Sequence, residues 1–600
     1  MKIMEKITEE CREAVQKAVE GLYKTKETNA IPRVETHIEQ NRKADASCSI
    51  AFQLSRELKK SPFEIAEEIA KNITPTETIE KVSALAGFVN FAFSQKYYQI
   101  ALSENQKEKG KQGKKETEKK IKKQTGKESE KQKKKAKQKV IIEYSCPNVG
   151  KPLHIGHIRG TIFGHALKKI REQDGDSVVS FNYLGDSGSQ VAKLLLALEI
   201  YKNLPVIKTE KDLLAYYVKI NAEIEQSEEL QKRQREILEA IENGDKKIQA
   251  SLDKVRKLSI TAFDNSYDLL GVKFDEVIGE SAFIQDGRKV VQEAIEKKIA
   301  FKDKGGEIVA KLEPELPNTI LTRSNGTTLY LTRDLALADY KFSKYKPSES
   351  VNITGSEQNT HFRQVYAILQ KLGRNYNNKH VGFGLLTFEG KKLATREGKV
   401  ILLADIIEEA KQEAKEQIMQ REPLLKGKEL EERSLAIGLA ALKFAVLKVS
   451  QEKNIVFNFK QMTSFEGDTG AYLQYSLVRC KSILHKANEE SAQEEKNAGK
   501  SKKEKREEKY TFNSEEKELL LLLSAFPVVV HNASKSLAPH ILCDYLLKTA
   551  AAFSKFYSLH SVLNAEDERT KTQRLEIVKA TANVLENGLD LLGITTLEKM

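Results

Sequence analysis

Two histidines, His154 and His157, flank Gly156 in the stretch VIIEYSCPNVGKPLHIGHIRGTIFGHAL, residues 140 to 167. Three apart on a helix, they share one face. Their ring N–H groups suit phosphate oxygens whose charge grows during an in-line displacement, which is transition-state stabilisation rather than acid–base work. An apolar strand ends near Ser145 and a loop with Pro147 and Pro152 follows. A helix is then expected from about His154, where unpaired backbone N–H groups and the positive dipole end favour phosphate. Gly156 has no Cβ and leaves a nucleotide room to approach the backbone. Two other readings compete. One is a zinc site, although this His-x-x-His lacks the glutamate of His-Glu-x-x-His and a near third ligand. The other is a pair of structural histidines.

After a strand, His-Ile-Gly-His resembles the nucleotide-binding signature of class I aminoacyl-tRNA synthetases. With Ser-x-Pro-Asn and Lys151 before it, the stretch is similar to arginyl-tRNA synthetases. YLGDSGSQ (Tyr183 to Gln190), LYLTRDLALADY (Leu329 to Tyr340), KKLATREGKVILLADII (Lys391 to Ile407), SFEGDTGAYLQYSLVR (Ser464 to Arg479) and the terminal LGITTLEKM follow in the family's order. The likeness spans about residues 85 to 600 and looks most like the eukaryotic-type enzymes. It implies activation of L-arginine by ATP to arginyl adenylate, with Mg²⁺ entering on the ATP, and transfer to the terminal ribose of arginine tRNA. Adenylate formation that needs bound tRNA is part of that implication. No structural metal is expected.

By the same resemblance, His154, Gly156, His157 and Lys151 bind and polarise the triphosphate, and a loop with Lys392, Thr395 and Arg396 closes over it. This loop corresponds to the family's Lys-Met-Ser-Lys-Ser. Thr395 replaces the second lysine, and Lys151 is taken to supply the missing charge. Glu143, Tyr330 and Asp334 are assigned to the guanidinium, and Asn148 and Gln358 to the amino end. The residue types fit, because a delocalised planar cation wants carboxylates and neutral acceptors in its plane. Tyr330 and Asp334, four apart in a helix-compatible segment, can face one pocket. Against these roles stand an Asp334–Arg333 salt bridge or a helix N-cap, and a solvent-facing Glu143. Ser187 and Cys146 depart from the Trp and the Ser or Ala usual in the family.

For tRNA, GFVNFAFSQ (Gly87 to Gln95) resembles the N-terminal domain that contacts the outer corner of tRNA, which implies Asn90, Phe93 and Gln95 against an unpaired loop base. Strand alternation sets Asn90 opposite Phe91 and Phe93, so burial of the rings competes. Tyr472, Gln474 and Tyr475 resemble the tRNA-facing region of the helical domain, a spacing that serves a buried helix face equally well. Two rival functions remain open. A catalytically inactive synthetase-like RNA-binding or scaffold protein is favoured by the lost lysine and Trp, and opposed by intact His154, Gly156, His157 and Asp334. A class I synthetase for cysteine or glutamate would want a zinc thiolate site or a cationic pocket instead.

The elements that must position these groups follow from periodicity. VIIEYS (Val140 to Ser145), SVVSFNYL (Ser177 to Leu184), SVNITG (Ser350 to Gly355) and HVGFGLL (His380 to Leu386) alternate with amphipathic stretches over residues 140 to 420. This is the pattern of a doubly wound, Rossmann-like α/β parallel sheet. A helical insertion is expected at about 191 to 270. Residues 1 to 100 combine a helical stripe from Cys11 to Tyr23 with the strand-like GFVNFAF, an α+β unit. Residues 421 to 600 read as an all-α domain, anticodon-binding by the resemblance, with a charged loop at about 486 to 510.

With 600 residues and 40% apolar side chains, the chain can build several cores. Its net charge of +13 is concentrated, since Lys107 to Lys139 holds 16 lysines against five acids. That tract, within a linker at 101 to 139, has little to bury and reads as disordered or at most partly helical. It is where phosphate attraction would reside. Five cysteines with no Cys-x-x-Cys spacing favour a reducing compartment. The longest apolar run, Leu519 to Val530, is too short to span a bilayer of roughly 30 Å. A cytosolic protein, not membrane-bound and acting as a monomer, is expected.

Overall fold

The computed structural model describes residues 3–23, 32–37, 44–104, 138–201, 210–388, 401–497 and 510–600. The body of the lysine tract and the residues Lys392, Thr395 and Arg396 lie outside the described residues.

At the N-terminus, α1 (Ile3–Tyr23) buries Ile7, Cys11, Val15 and Ala18, a stripe of helical period. After β1 (Val34–Thr36) and β2 (Ala46–Cys48) come α2 (Ile50–Leu58) and α3 (Pro62–Lys71). A capping box between Ser61 and Glu64 starts α3, with Pro62 in its first turn. The strands β3 (Ile79–Leu85) and β4 (Phe88–Phe93) turn through Ala86 and Gly87, both at positive φ, and complete a sheet of order β1-β2-β4-β3. Helix α4 (95–104) follows.

The central sheet has the order β12-β11-β5-β6-β7, and every neighbouring pair in it is parallel. Its strands are β5 (Lys139–Glu143), β6 (Ser177–Leu184), β7 (Glu276–Gly279), β11 (Glu349–Gly355) and β12 (Asn378–Phe383). Helices α5 (Ile155–Asp174), α10 (Ile284–Glu296), α11 (Tyr330–Tyr345) and α12 (Asn359–Lys371) run between them. A small sheet of β8 (Ala300–Lys302), β9 (Ile308–Ala310) and β10 (Thr319–Thr322) precedes α11. From β5 the chain first builds outward through β6, and later adds β11 on the other side. A crevice therefore opens at the carboxyl ends of β5 and β11, where ligands of such sheets bind. Between β6 and β7 stand α6 (Ser189–Ile200), α7 (Glu210–Glu225), α8 (Glu228–Asn243) and α9 (Lys246–Leu270).

Strand β13 (Leu386–Phe388) pairs with β14 (Ile455–Phe457) and leads into the helical C-terminal region. That region contains α13 (Leu403–Arg421), α14 (Gly427–Leu447), α15 (Phe459–Met462), α16 (Gly470–Asn497), α17 (Ser514–Lys535), α18 (His540–Leu559) and α19 (Glu568–Leu591). The charged loop expected from residue 486 is replaced as far as Asn497 by a continuation of α16. The run from 486 to 497 holds no Gly or Pro and consists largely of Lys, Glu, Ala and Gln, good helix formers.

Candidate active site

A cleft of about 810 Å³ occupies the crevice. His154, Gly156, His157, Glu143, Asn148, Tyr330, Asp334 and Gln358 all line it. His154 is the N-cap of α5, and the two rings lie 4.1 Å apart between centroids. Each ring spends its Nδ1 on the backbone: His154 Nδ1 accepts from Gly156 N at 3.1 Å, and His157 Nδ1 accepts from His154 N at 3.2 Å. In a neutral imidazole an accepting Nδ1 places the proton on Nε2. Burial and the neighbouring ring hold His157 down to about 3, and burial with the charge of Lys151 lowers His154. Both rings are therefore neutral Nε2–H donors near neutral pH, in keeping with electrostatic work and unsuited to proton transfer. The engaged Nδ1 atoms also leave the two rings at most one nitrogen each for a metal. Among the described residues no group of three or more His, Cys, Asp or Glu is placed to hold one.

Helix α5 is fixed from behind. Gly164 sits against the Tyr144 ring so closely that a Cβ would overlap it. Arg159, only 2% exposed, donates to the carbonyls of Gly384 (2.6 Å), Lys453 (2.6 Å) and Ser450 (3.1 Å). These acceptors lie beside β13 and β14. Ile155 N and Leu403 N further tie the start of α5 to Ile401 O and Leu153 O. Lys151 does not line the cleft. Its ammonium lies over the Tyr217 ring of α7, 4.8 Å from the centroid.

At the other end of the cleft, Glu143, Glu280 and Asp334 all lie near Tyr183, whose phenol is raised far above its usual range by burial and by those carboxylates. They differ in their partners. Glu143 is buried, against the solvent-facing alternative, because β5 is the middle strand of the sheet. It is ion-paired with Lys341 and accepts from Asn352 Nδ2 at 2.8 Å. Glu280 accepts from Ser187 Oγ at 2.9 Å and Arg333 at 3.0 Å, and burial nonetheless pulls its carboxyl up. Asp334 meets neither Arg333 nor a cap; its Oδ2 accepts from His361 Nε2 at 2.6 Å. Of the three, Asp334 alone faces an imidazole instead of a fixed cation. The Tyr330 ring, 56% exposed, lies 4.7 Å from His361 and closes that side. The two departures from the family pattern find places here. Ser187 orients Glu280, and Cys146, at φ 47, lines the cleft with its thiol raised by burial and by Glu143.

Lys341, Glu280 and His361 are absent from the sequence reading, where Arg333 stands only as a rival partner of Asp334. Lys341 is the residue just after the LYLTRDLALADY stretch, and Glu280 lies in none of the recognisable motifs. His361 follows Gln358 by three positions on the turn into α12, a spacing that could have flagged it.

The residues expected to meet tRNA differ in exposure and in internal partners. Phe93 is 1% exposed and packs on Tyr97 with ring centroids 4.6 Å apart, because inward positions of β4 take Val89, Phe91 and Phe93. Gln95 is used inside the molecule, with its amide exchanging two hydrogen bonds with the Phe512 backbone at 2.9 and 3.2 Å. Gln474 is fully buried and donates to Thr595 O at 2.6 Å, fastening the C-terminal segment. Asn90, Tyr472 and Tyr475 are half-buried, and Arg479 donates to the Tyr475 hydroxyl at 2.9 Å.

The chain matches three family descriptions: "Arginyl tRNA synthetase N terminal domain" over 6–93, "tRNA synthetases class I (R), catalytic domain" over 120–459 and "DALR anticodon binding domain" over 473–600. It is 37% identical to the arginine–tRNA ligase of Clostridium perfringens over 92% of this chain and 93% of that one. With that of Clostridium beijerinckii it is 36% identical at the same coverage. These relatives are bacterial, so they do not carry the likeness to the eukaryotic branch. In fold it is similar to the Thermus thermophilus arginyl-tRNA synthetase, with TM-score 0.76, 24% identity, and coverage of 99% of this chain and 100% of that one. The Plasmodium falciparum enzyme gives TM-score 0.77 at 21% identity, covering 99% of each. A doubly wound sheet with a histidine signature at its crevice, flanked by an N-terminal α+β unit and a helical C-terminal domain, is thus matched end to end: the chain belongs to the class I arginyl-tRNA synthetases.

Proposed function

We propose that, in the arginine–tRNA ligase reaction of this family, the cleft divides between a guanidinium end at Asp334 and a phosphate end at the His154–His157 pair. Asp334 takes the guanidinium with Tyr330 alongside, because its charge is not already neutralised by a fixed cation. Glu143, matched to Lys341, builds the pocket floor. Asn148 and Gln358, both exposed on the cleft wall, receive the α-amino group. The Nε2–H groups of His154 and His157 donate to the triphosphate, whose charge shifts as pyrophosphate departs. Mg²⁺ travels on the phosphate oxygens of ATP. On the tRNA side the reading keeps Asn90, Tyr472 and Tyr475, and gives Phe93, Gln95 and Gln474 structural roles. A cytosolic monomer completes the reading, the five scattered cysteines suiting a reducing compartment.

The observation that carries this reading is the single cleft holding two backbone-anchored neutral imidazoles and, across it, a carboxylate facing no fixed cation. Purified protein with tRNA present should exchange pyrophosphate into ATP on addition of L-arginine, and far less with lysine or citrulline. Equal exchange with citrulline, which matches arginine in shape but has no charge, would remove Asp334 from the guanidinium role.

A further inference from the structure

Among the described residues, two lysines beside the signature loop have no anionic partner. Lys151 places its ammonium over Tyr217, and Lys193, on α6, donates to Asn221 Oδ1 at 2.5 Å. Tyr217 and Asn221 are four apart on α7 and so share a face. Both lysines are half-buried, and among the described residues neither makes an ion pair; a ring face and an amide oxygen are their partners. Both ammonium groups therefore reach the same face of α7, and burial with the charge of Lys193 lowers Lys151. Like charges gathered in a partly dehydrated place are unfavourable unless an anion joins them.

The surrounding structure holds this arrangement in place. Gly150, at φ 85, donates its N–H to Ser259 Oγ at 3.0 Å from α9, and a Cβ there would press on Leu194 of α6. The loop carrying Lys151 is thereby pinned by two inserted helices. Ser189, at the start of α6, lines the cleft, and Lys193 stands one turn further along. The charge of Lys151 reaches both signature histidines.

We propose that Lys193 joins Lys151, the lysine that the family resemblance already assigns to the triphosphate, in a paired-cation seat for the pyrophosphate portion of ATP, with Tyr217 and Asn221 of the helical insertion as positioning residues. This rests on the reading of the cleft as the ATP site and adds to it Lys193 and a task for α7. When the arginine carboxylate attacks the α-phosphorus, a carboxyl O–P bond forms and the Pα–O bond to the β-phosphate breaks. Its electron pair stays on the departing oxygen, and the extra negative charge of pyrophosphate falls to the two ammonium groups.

Steady-state pyrophosphate exchange by the full chain with tRNA tests the proposal. Lys193→Met should raise the ATP KM about tenfold, the scale for removing one charged partner, and weaken inhibition by added inorganic pyrophosphate by a similar factor. The arginine KM should stay unchanged. Lys193→Arg should recover most of the loss, and Tyr217→Leu with Asn221→Leu should shift the ATP KM in the same direction by less. An unaltered ATP KM and pyrophosphate inhibition in Lys193→Met, or an arginine KM rising in step, overturns the seat. If Lys151→Met raises the ATP KM while Lys193→Met does not, the pair alone falls. If neither moves it, the phosphate end of the cleft is elsewhere and the broader reading falls with it.

Discussion

At the residue scale, three carboxylates in one pocket look interchangeable in composition, but their partners separate them. Asp334 has an imidazole, His361, as its partner, while Glu143 is bound to the ammonium of Lys341 with both side chains almost fully buried. Substituting each with its amide should therefore give opposite outcomes. Asp334→Asn removes a charge-assisted partner of the substrate, and the arginine KM should rise by roughly 30- to 100-fold, about 2–3 kcal/mol, with the melting temperature nearly unchanged. Glu143→Gln strands a buried ammonium, which costs about 3 kcal/mol of stability on the scale of broken buried pairs, and should show chiefly as a lower melting temperature. Arginine KM values and thermal unfolding of both variants decide the matter; the reverse pattern would exchange the two roles. The sequence showed Glu143 and Asp334 as equivalent acids because the neutralising Lys341 is 198 positions from Glu143, and only packing brings them together.

At the element scale, α5 carries the signature at one end, and its orientation sets where the two Nε2–H donors point. The strand–loop–helix pattern was legible, including the start of the helix near His154, because local propensity and the sheet period agree there. Its anchoring was not. Arg159 and Gly164 look like an ordinary charged residue and a weak helix former, and their meaning lies in carbonyls from residues 384 to 453 and in the Tyr144 ring. Tyr144 is fully buried and itself packs on Phe274, with centroids 4.6 Å apart, so it has little room to yield to a new methyl group. Gly164→Ala should push α5 outward at an overpacking cost of about 1–3 kcal/mol. It should slow adenylate formation more than it weakens arginine binding, because Asp334 stands on α11. Single-turnover rates against the arginine KM would separate the two, and a loss confined to arginine binding would mean that α5 is not what moves.

At the scale of the whole molecule, the three-part organisation could be read from changes of hydrophobic period. The contacts joining the parts could not, since they pair single residues across hundreds of positions, as Gln95 does with Phe512 and Tyr97 with Ser524. The same scale governs the charge. Of the net +13, the stretch from Lys107 to Lys139 holds +11, so the remainder of the chain is close to neutral overall. Non-specific attraction for a polyanion therefore has one dominant source, and its signature is a salt dependence in which each phosphate neutralised contributes about −0.7 to −0.9 to the slope of log affinity on log salt. The stretch ends at Lys139, the first residue of β5, and the cleft lies beyond the opposite end of that strand. Any contribution of the tract to tRNA binding is therefore expected to leave arginine binding untouched. Deleting residues 108–137 should weaken tRNA binding at low salt and flatten the slope by several units, leaving the arginine KM in pyrophosphate exchange unchanged at saturating tRNA. Affinities measured across a salt series for both proteins check this. An unchanged slope would make the tract a passive connector and return the electrostatics of tRNA capture to the nearly neutral folded surface.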